Sequence, residues 1–241
     1  MRPFFNYYGG KWRLAPRYPK PIHDTIIEPF AGSAGYSTRH PQKKVILYDL
    51  NPKIFGVWDY LIKASPVDVL RLPLVERIED ANVCQEAQWL IGFWLGRGSS
   101  SPRKSISAWG RDGKWTHLFW GKEIRQRIAN QMNNIRHWQV HNKSYADCPN
   151  QEATWFIDPP YNSKAGDAYP NRDVDYPHLS EWSMQREGQS MVCEMWGADW
   201  MPFKSFAIGK STSGTSRSSH CHEVIWINSW STNPHTHQPT P

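Results

Sequence analysis

The sequence predicts an α/β protein built on a mostly parallel sheet covered on both faces. Three observations predict it. Short apolar, β-prone runs such as "TIIE", "VILY" and "TWFI" alternate with longer segments of helical periodicity, the alternation expected of a doubly wound sheet. Two of these runs end in turn chemistry, "EPFAGSAG" and "DPPY". Ligands bind outside the carboxyl ends of strands in such sheets, so both turns fall where a site belongs. A polar, basic, turn-rich stretch from Arg97 to Trp120 interrupts the pattern and reads as an insert.

The elements follow in order. "DTIIEPFAGSAGYSTRH" reads as a buried strand, a glycine turn and a helix. "KKVILYDLNP" is a second strand ending in Asp49, and "PKIFGVWDYLIKA" is helical. Ser65 to Gln88 shows mixed helical periodicity, and "WLIGFWLG" is apolar and aromatic. Inside the insert, "SISAW" and "KWTHLFW" flank "GRDG", the pattern of a hairpin with Asp112 and Gly113 in its turn. "KEIRQRIANQMNNI" is a helix and "WQVHNKSYAD" a short strand. "ATWFI" is a strand that Pro159 and Pro160 must stop, because two prolines neither continue a ladder nor start an ordinary helix. "HLSEWSMQRE" is helical, "SMVCEMW" a strand, and "FKSFAI" and "HEVIWIN" a final pair. The tail, 233–241, reads as disordered.

Composition narrows the partners. The chain has 241 residues, enough for one sizeable domain or a domain with a large insert. A net charge of +6 together with 14 Trp suggests a polyanionic partner, nucleic acid first. Cys84, Cys148, Cys193 and Cys221 form no CxxC pair, so neither a disulfide framework nor a zinc ribbon is expected and the setting reads as reducing and intracellular. His220 to His222 would alternate faces in a strand, so no metal site is expected there. No apolar run approaches the ~18 residues of a membrane span, and the start lacks the apolar core of a signal peptide.

The glycine turn carries more. Gly32 and Gly35 follow a strand, where glycine lets the backbone approach a ligand closely. The spacing is not GxGxxG and no GK[ST] follows, so dinucleotide and P-loop readings fit poorly. Asp49 ends the next strand, where an acid commonly accepts hydrogen bonds from ribose hydroxyls. Its alternative role is a helix cap on "NPKIF", which Asn51 could also supply. The expected ligand contains a nucleoside but no pyrophosphate, and S-adenosylmethionine satisfies that description.

With these residues in place, the chain resembles the Dam-like N6-adenine DNA methyltransferases, including their phage members. "YYGGK" resembles the family's amino-terminal aromatic-x-GGK motif, "EPFAGSAG" its cofactor loop, "YDLNP" its ribose-binding acid, "KSYAD" the strand end that contacts the cofactor's adenine, and "DPPY" its catalytic tetrapeptide. "TSGTSR" with "HEVIWIN" resembles its closing segment. The resemblance implies a Rossmann-like methyltransferase fold with a target-recognition insert. The catalytic domain would be discontinuous, 1–64 with 134–232, and the insert 65–133. Tyr7, Lys11, Phe30, Ala31, Gly32, Ser33, Gly35, Asp49, Ser144, Tyr145 and Asp158 would line the cofactor pocket. Three departures stand out: Tyr7 replaces a frequent Trp, Ser144 replaces an Asp before the aromatic, leaving Asp147 as an alternative contact, and "WLGRG" replaces an Asn-Arg pair, so GATC recognition is not carried over.

DPPY gives that resemblance a mechanism. An exocyclic amine such as adenine N6 is a poor nucleophile because its lone pair is delocalised into the ring. The Asp158 carboxylate and the Pro159 carbonyl can each accept one N–H and aim the lone pair at a methyl donor. Tyr161 would stack on a base flipped from the duplex. Arg97, Arg103, Lys104, Arg111, Lys114 and Lys122, interleaved with Trp109, Trp115 and Trp120, form the expected double-stranded DNA contact. The loop from Asn162 to Pro177 is expected to close over the flipped base, and Glu194 is either a pocket residue or a surface acid. The alternatives are methylation of another planar amine (cytosine N4, RNA adenine, a protein glutamine) or a silent DNA-binding protein of the same fold. The reaction needs no metal, a monomer fits, and the resemblance implies the cytoplasm of a bacterial cell or phage-infected host.

Overall fold

The computed structural model describes residues 1–112, 116–210 and 220–230. Its strands are β1 (Thr25–Glu28), β2 (Lys44–Tyr48), β3 (Gln139–His141), β4 (Ala153–Ile157), β5 (Gly188–Met195), β6 (Lys204–Lys210) and β7 (His220–Ile227). They form one sheet in the order β3-β2-β1-β4-β5-β7-β6. The first five are parallel, and β7 runs antiparallel between β5 and β6. The helices are α1 (Pro52–Lys63), α2 (Pro66–Arg71), α3 (Gln85–Trp94), α4 (Ala108–Arg111), α5 (Lys122–Gln131) and α6 (Tyr176–Met184).

Side chains alternate across the sheet because the strand period is two. Ile26, Val45, Leu47, Phe156, Met191, Cys193 and Ile225 pack on one face, with α1, α3, α5 and the amino-terminal Phe4 and Phe5. Ile27, Ile46, Tyr48, Trp155, Ile157, Val192 and Trp226 pack on the other, with Leu179 and Trp182 of α6. Both faces are therefore covered, which is why the parallel strands read as continuous apolar runs. The aromatic "WLIGFW" run becomes the buried side of α3: Phe93 lies 5.0 Å from the Phe5 ring, and Trp94 Nε1 donates to the Phe4 carbonyl at 2.9 Å.

The topology reverses at β1. Chain order runs outward to β2 and β3 on one side and to β4 and β5 on the other. The carboxyl ends of β1 and β4 therefore flank the switch point, where ligands settle in open α/β sheets. Glu28 ends β1 and Asp158 follows β4.

Two local expectations fail. The helix foreseen after the glycine turn does not form. Residues 29–36 run through turns in which Gly32 has φ 45° and Ala34 φ 47°, and only a 3-10 turn at Ser37–Arg39 follows. A left-handed Ala ends any right-handed helical run. The hairpin around Asp112 is also absent from the described residues. Ser107 caps α4 through the Gly110 N–H, and the strand-like stretch before it pairs elsewhere. Ile78 N donates to the Lys104 carbonyl at 2.9 Å, and Ile106 N to the Glu76 carbonyl at 2.7 Å. Lys114, Trp115, all of "TSGTSR" and the tail 233–241 lie outside the described residues.

Candidate active site

The site begins with the amino-terminal segment, which the core clamps in place. The buried Phe5 packs against Trp58 and Phe93, and this directs Tyr7 to Lys11 across the glycine turn. The approach is close enough to require glycine. A Cβ on Gly35 would lie 2.6 Å from Trp12 N and 2.9 Å from Lys11 N, both backbone atoms that cannot yield. Gly9, at φ 71°, leaves room for the Tyr169 hydroxyl, which a Cβ there would meet at 2.1 Å.

Asp49 ties the next two segments together. Its Oδ2 accepts from Gly32 N and its Oδ1 from Asn51 N, each at 2.9 Å. Burial pushes its carboxyl up to about 6, and the two N–H groups hold it back from going further. The cap on α1 belongs to Asn51, whose Oδ1 accepts from Lys53 N at 3.0 Å. Asp49 thus keeps unused acceptor lone pairs, since each carboxylate oxygen has two.

Asp158 meets Lys11. The Nζ atom of Lys11 donates to both carboxylate oxygens, at 2.7 and 2.9 Å, and to the Gly9 carbonyl at 3.2 Å. Burial works against the Lys11 charge, but Asp158, together with Tyr161, Glu223 and Cys193, more than reverses that, so the lysine keeps its proton. Burial also pushes the Asp158 carboxyl upward, and Lys11 offsets only part of it. The same ammonium stands 4.7 Å from the Tyr161 ring centroid.

A cavity of about 470 Å³ opens over the ends of β1 and β4. Every residue expected to hold the cofactor lines it: Tyr7, Lys11, Phe30, Ala31, Gly32, Ser33, Gly35, Asp49, Ser144, Tyr145 and Asp158. Phe30 and Tyr145 stack with ring centroids 5.3 Å apart. Ser144 is on the wall, whereas Asp147 is exposed and closes a capping box with Ser144, its Oδ2 accepting from Ser144 N. A second cavity, of about 630 Å³, shares Tyr7 to Lys11 with the first and adds Tyr161. Pro160, rather than Pro159, lines the first cavity.

Residues 7–85 match the family model of the D12 class N6 adenine-specific DNA methyltransferases. This match supports a Dam-like adenine methyltransferase family and indicates an enzyme of adenine methylation in DNA. The match spans the GGK segment, the glycine turn and Asp49, which are the segments that Gly32, Gly35 and the two Asp49 hydrogen bonds hold together. DPPY lies beyond the match, and its place beside Lys11 rests on the geometry above. No curated protein matches the chain.

The loop after DPPY, expected over the flipped base, reaches the first cavity. Tyr169, Asp173 and Asp175 from the loop after DPPY line the first cavity, so that loop covers the pocket of Asp49. The Tyr169 hydroxyl donates to the Tyr8 carbonyl at 3.2 Å, and Ser100 Oγ donates to the Ala168 carbonyl. Glu28 lies beneath, fully buried, accepting from Ser37 N at 2.7 Å; burial raises its carboxyl to about 8, so it is neutral at pH 7. The acid in "TIIEPF" was visible, but its burial depends on the neighbouring strand β4. Glu194 is neither a pocket nor a surface acid. It is wholly buried and anchors the loop root, with Oε2 accepting from Asn162 N at 3.0 Å and from Trp200 Nε1 at 2.9 Å.

The insert's cations are spread over its outer surface. Arg103, Lys104, Arg111 and Lys122 are exposed, and Arg97 is half-buried, 5.6 Å from the Trp109 ring. Trp109 is 44% exposed, while Trp120 is packed down with its Nε1 donating to the Pro73 carbonyl. Among the described residues no cluster of His, Cys, Asp and Glu could hold a metal ion, and no helix is long and apolar enough to cross a membrane. His222 instead stacks on Trp196, with ring centroids 4.5 Å apart.

Proposed function

We propose that the chain transfers a methyl group from S-adenosylmethionine to adenine N6 in duplex DNA, by direct transfer to a base flipped out of the helix. The observation that carries this reading is the position of Asp158. Its carboxylate lines the cavity that also holds Asp49, while its partner Lys11 and the neighbouring Tyr161 line the second cavity. One acid thus stands where a methyl donor and an amine can meet.

The lining of the first cavity fits the donor. Asp49, Asp158, Asp173 and Asp175 face a single lysine there, and the fifth acid, Glu28, is neutral at pH 7. This surplus of carboxylate suits a ligand carrying a sulfonium and an ammonium, and disfavours one carrying phosphates. Asp49 keeps lone pairs for ribose hydroxyls, and the Phe30–Tyr145 pair offers an aromatic wall for an adenine. When bound, S-adenosylmethionine supplies a methyl on a positively charged sulfur that departs as a neutral thioether.

The protein's own groups do the rest. Asp158 accepts one N–H of the target amine, and a backbone carbonyl of the Pro-Pro turn accepts the other, which returns the lone pair to nitrogen. Positive charge then grows on that nitrogen beside a carboxylate already fixed in place. The upward push of burial on Asp158 also suits it to take the proton that the methylated amine releases. Lys11 favours the ionised form of the buried carboxylate until then. Tyr161 stacks on the displaced base and recovers part of the few kcal/mol that flipping costs. The Tyr169 loop covers the first cavity and keeps water from competing.

The test is methyl transfer from radiolabelled S-adenosylmethionine to unmethylated duplex DNA, followed by nucleoside analysis. The expected product is N6-methyladenine, absent with Asp158→Ala. Label in N4-methylcytosine, or no label in DNA while the cofactor still binds, would overturn the reading.

A further inference from the structure

Arginines from the amino-terminal segment and from α5 converge on the second cavity. Arg2, Arg13 and Arg127 line it, beside Lys11 and Tyr161. They come from three places: the first residues, the turn after the GGK segment, and α5. Arg97 stands near Arg13, and Arg127 near Arg2, closely enough for the charges to oppose one another; burial lowers Arg97 and Arg127 first, and the facing arginine lowers each further.

Like charges gathered this way repel, and the protein offers them little relief. No ion pair among the described residues involves any of the four. The acid on the cavity wall, Glu223, is 3% exposed and already holds the Tyr18 hydroxyl. Arg127 lies 4.8 Å from the Trp94 ring, and its Nε is buried without a hydrogen-bond partner. Arginine forks match phosphate geometry, and two separated arginine pairs suit an anion whose charge repeats along a chain better than one small ion.

We propose that Arg2, Arg13 and Arg127, with Arg97, form a phosphate seat that grips the backbone of the DNA strand next to the nucleotide entering the second cavity. This surface is distinct from the exposed cations at Arg103, Lys104, Arg111 and Lys122. It rests on the reading of DNA as substrate and adds where the backbone runs: along the amino-terminal segment and α5, past the Lys11–Tyr161 wall.

The experiment measures binding of a fluorescent duplex DNA, without cofactor, across a salt series. The proteins are the unmodified chain, Arg13→Gln, Arg127→Gln and, as a control of equal charge change, Lys44→Gln. Lys44 is exposed at the start of β2, the opposite end of the strands from the site. Each arginine variant should lower the steepness of log Kd against log salt by about 0.9, the share of one released counterion. The weakening should be alike for unrelated DNA sequences, and cofactor affinity should stay unchanged, which excludes misfolding. Arg13 is exposed, so its variant remains readable even if Arg127→Gln disturbs packing on Trp94. An unchanged slope in Arg13→Gln, or an equal change in Lys44→Gln, overturns the seat. Failure of the unmodified chain to methylate DNA while this slope difference persists would overturn the reaction and leave the seat standing.

Discussion

Replacing Lys11 by Met keeps the length of the side chain and removes its charge. The wild-type pair is closely enclosed, with side-chain exposures of 7% for Lys11 and 18% for Asp158, and its nitrogen reaches both oxygens within 2.9 Å. Removing one member of such a buried pair costs about 3–5 kcal/mol, because the remaining charge has no partner. The carboxyl relieves that penalty by taking a proton. A protonated Asp158 accepts the amine N–H only weakly and cannot take its proton, so turnover at pH 7 should fall by roughly 10²–10⁴-fold, at about 1.36 kcal/mol per decade. Burial already pushes Asp158 upward, and loss of Lys11 removes the opposing pull. Activity of Lys11→Met should therefore recover as pH rises and the acid ionises. Stability should move the other way. A carboxyl raised in the folded state adds stability that is present at low pH and lost as pH climbs through its folded value. Single-turnover methyl transfer and thermal unfolding, both followed from pH 6 to 9, check this. Wild-type turnover at pH 7, or activity and stability rising together with pH, would refute it.

Other outcomes follow from the same geometry. Asp49→Asn should weaken S-adenosylmethionine binding by roughly 10–100-fold, the value of a charge-assisted hydrogen bond, by calorimetry; in the unmodified enzyme affinity should drop as pH falls through about 6, where Asp49 takes a proton. Gly35→Ala places a methyl 2.6 Å from Trp12 N, and should lower stability by about 1–3 kcal/mol and reduce cofactor affinity, read by thermal shift with and without ligand. Glu28, raised from 4.5 to about 8, contributes stability that is lost as pH climbs from about 4.5 to about 8, at up to about 1.4 kcal/mol per pH unit. Glu28→Gln should flatten the decline over that range in thermal unfolding.

Much of this was legible in the sequence because it is local. The apolar runs of β1, β2, β4 and β5 announce strands buried on both sides, and Pro159 and Pro160 end β4 by covalent geometry alone. The expected lining residues of the first cavity were legible because they sit in five short segments, four of them just after strand ends. What escaped depends on contacts between distant segments. The absent helix after the glycine turn follows from the left-handed Ala34 and from Ser37 N being claimed by Glu28. That no hairpin forms among the described residues follows from pairing of residues 104–106 with 76–78, which no local pattern encodes. Tyr169 reaches the pocket through a loop whose conformation is set at Tyr8 and Glu194, and Arg2, Arg13 and Arg127 meet only once the amino terminus lies against α5.

The placement of β4 beside β1 also bears on how the enzyme is made. Ile26 pairs with Thr154 and Ile27 with Trp155, so the central strand waits for a partner that lies 128 residues further along the chain. At about 5–20 residues per second, ribosomes need roughly 6–26 s to deliver it. Through that interval β1 has an unpaired, apolar edge next to β2, the kind of edge that recruits other chains. Overexpression at high temperature should favour aggregates of nascent chains over mature protein, and slower translation with a chaperone that shields exposed strands should raise the yield of folded enzyme.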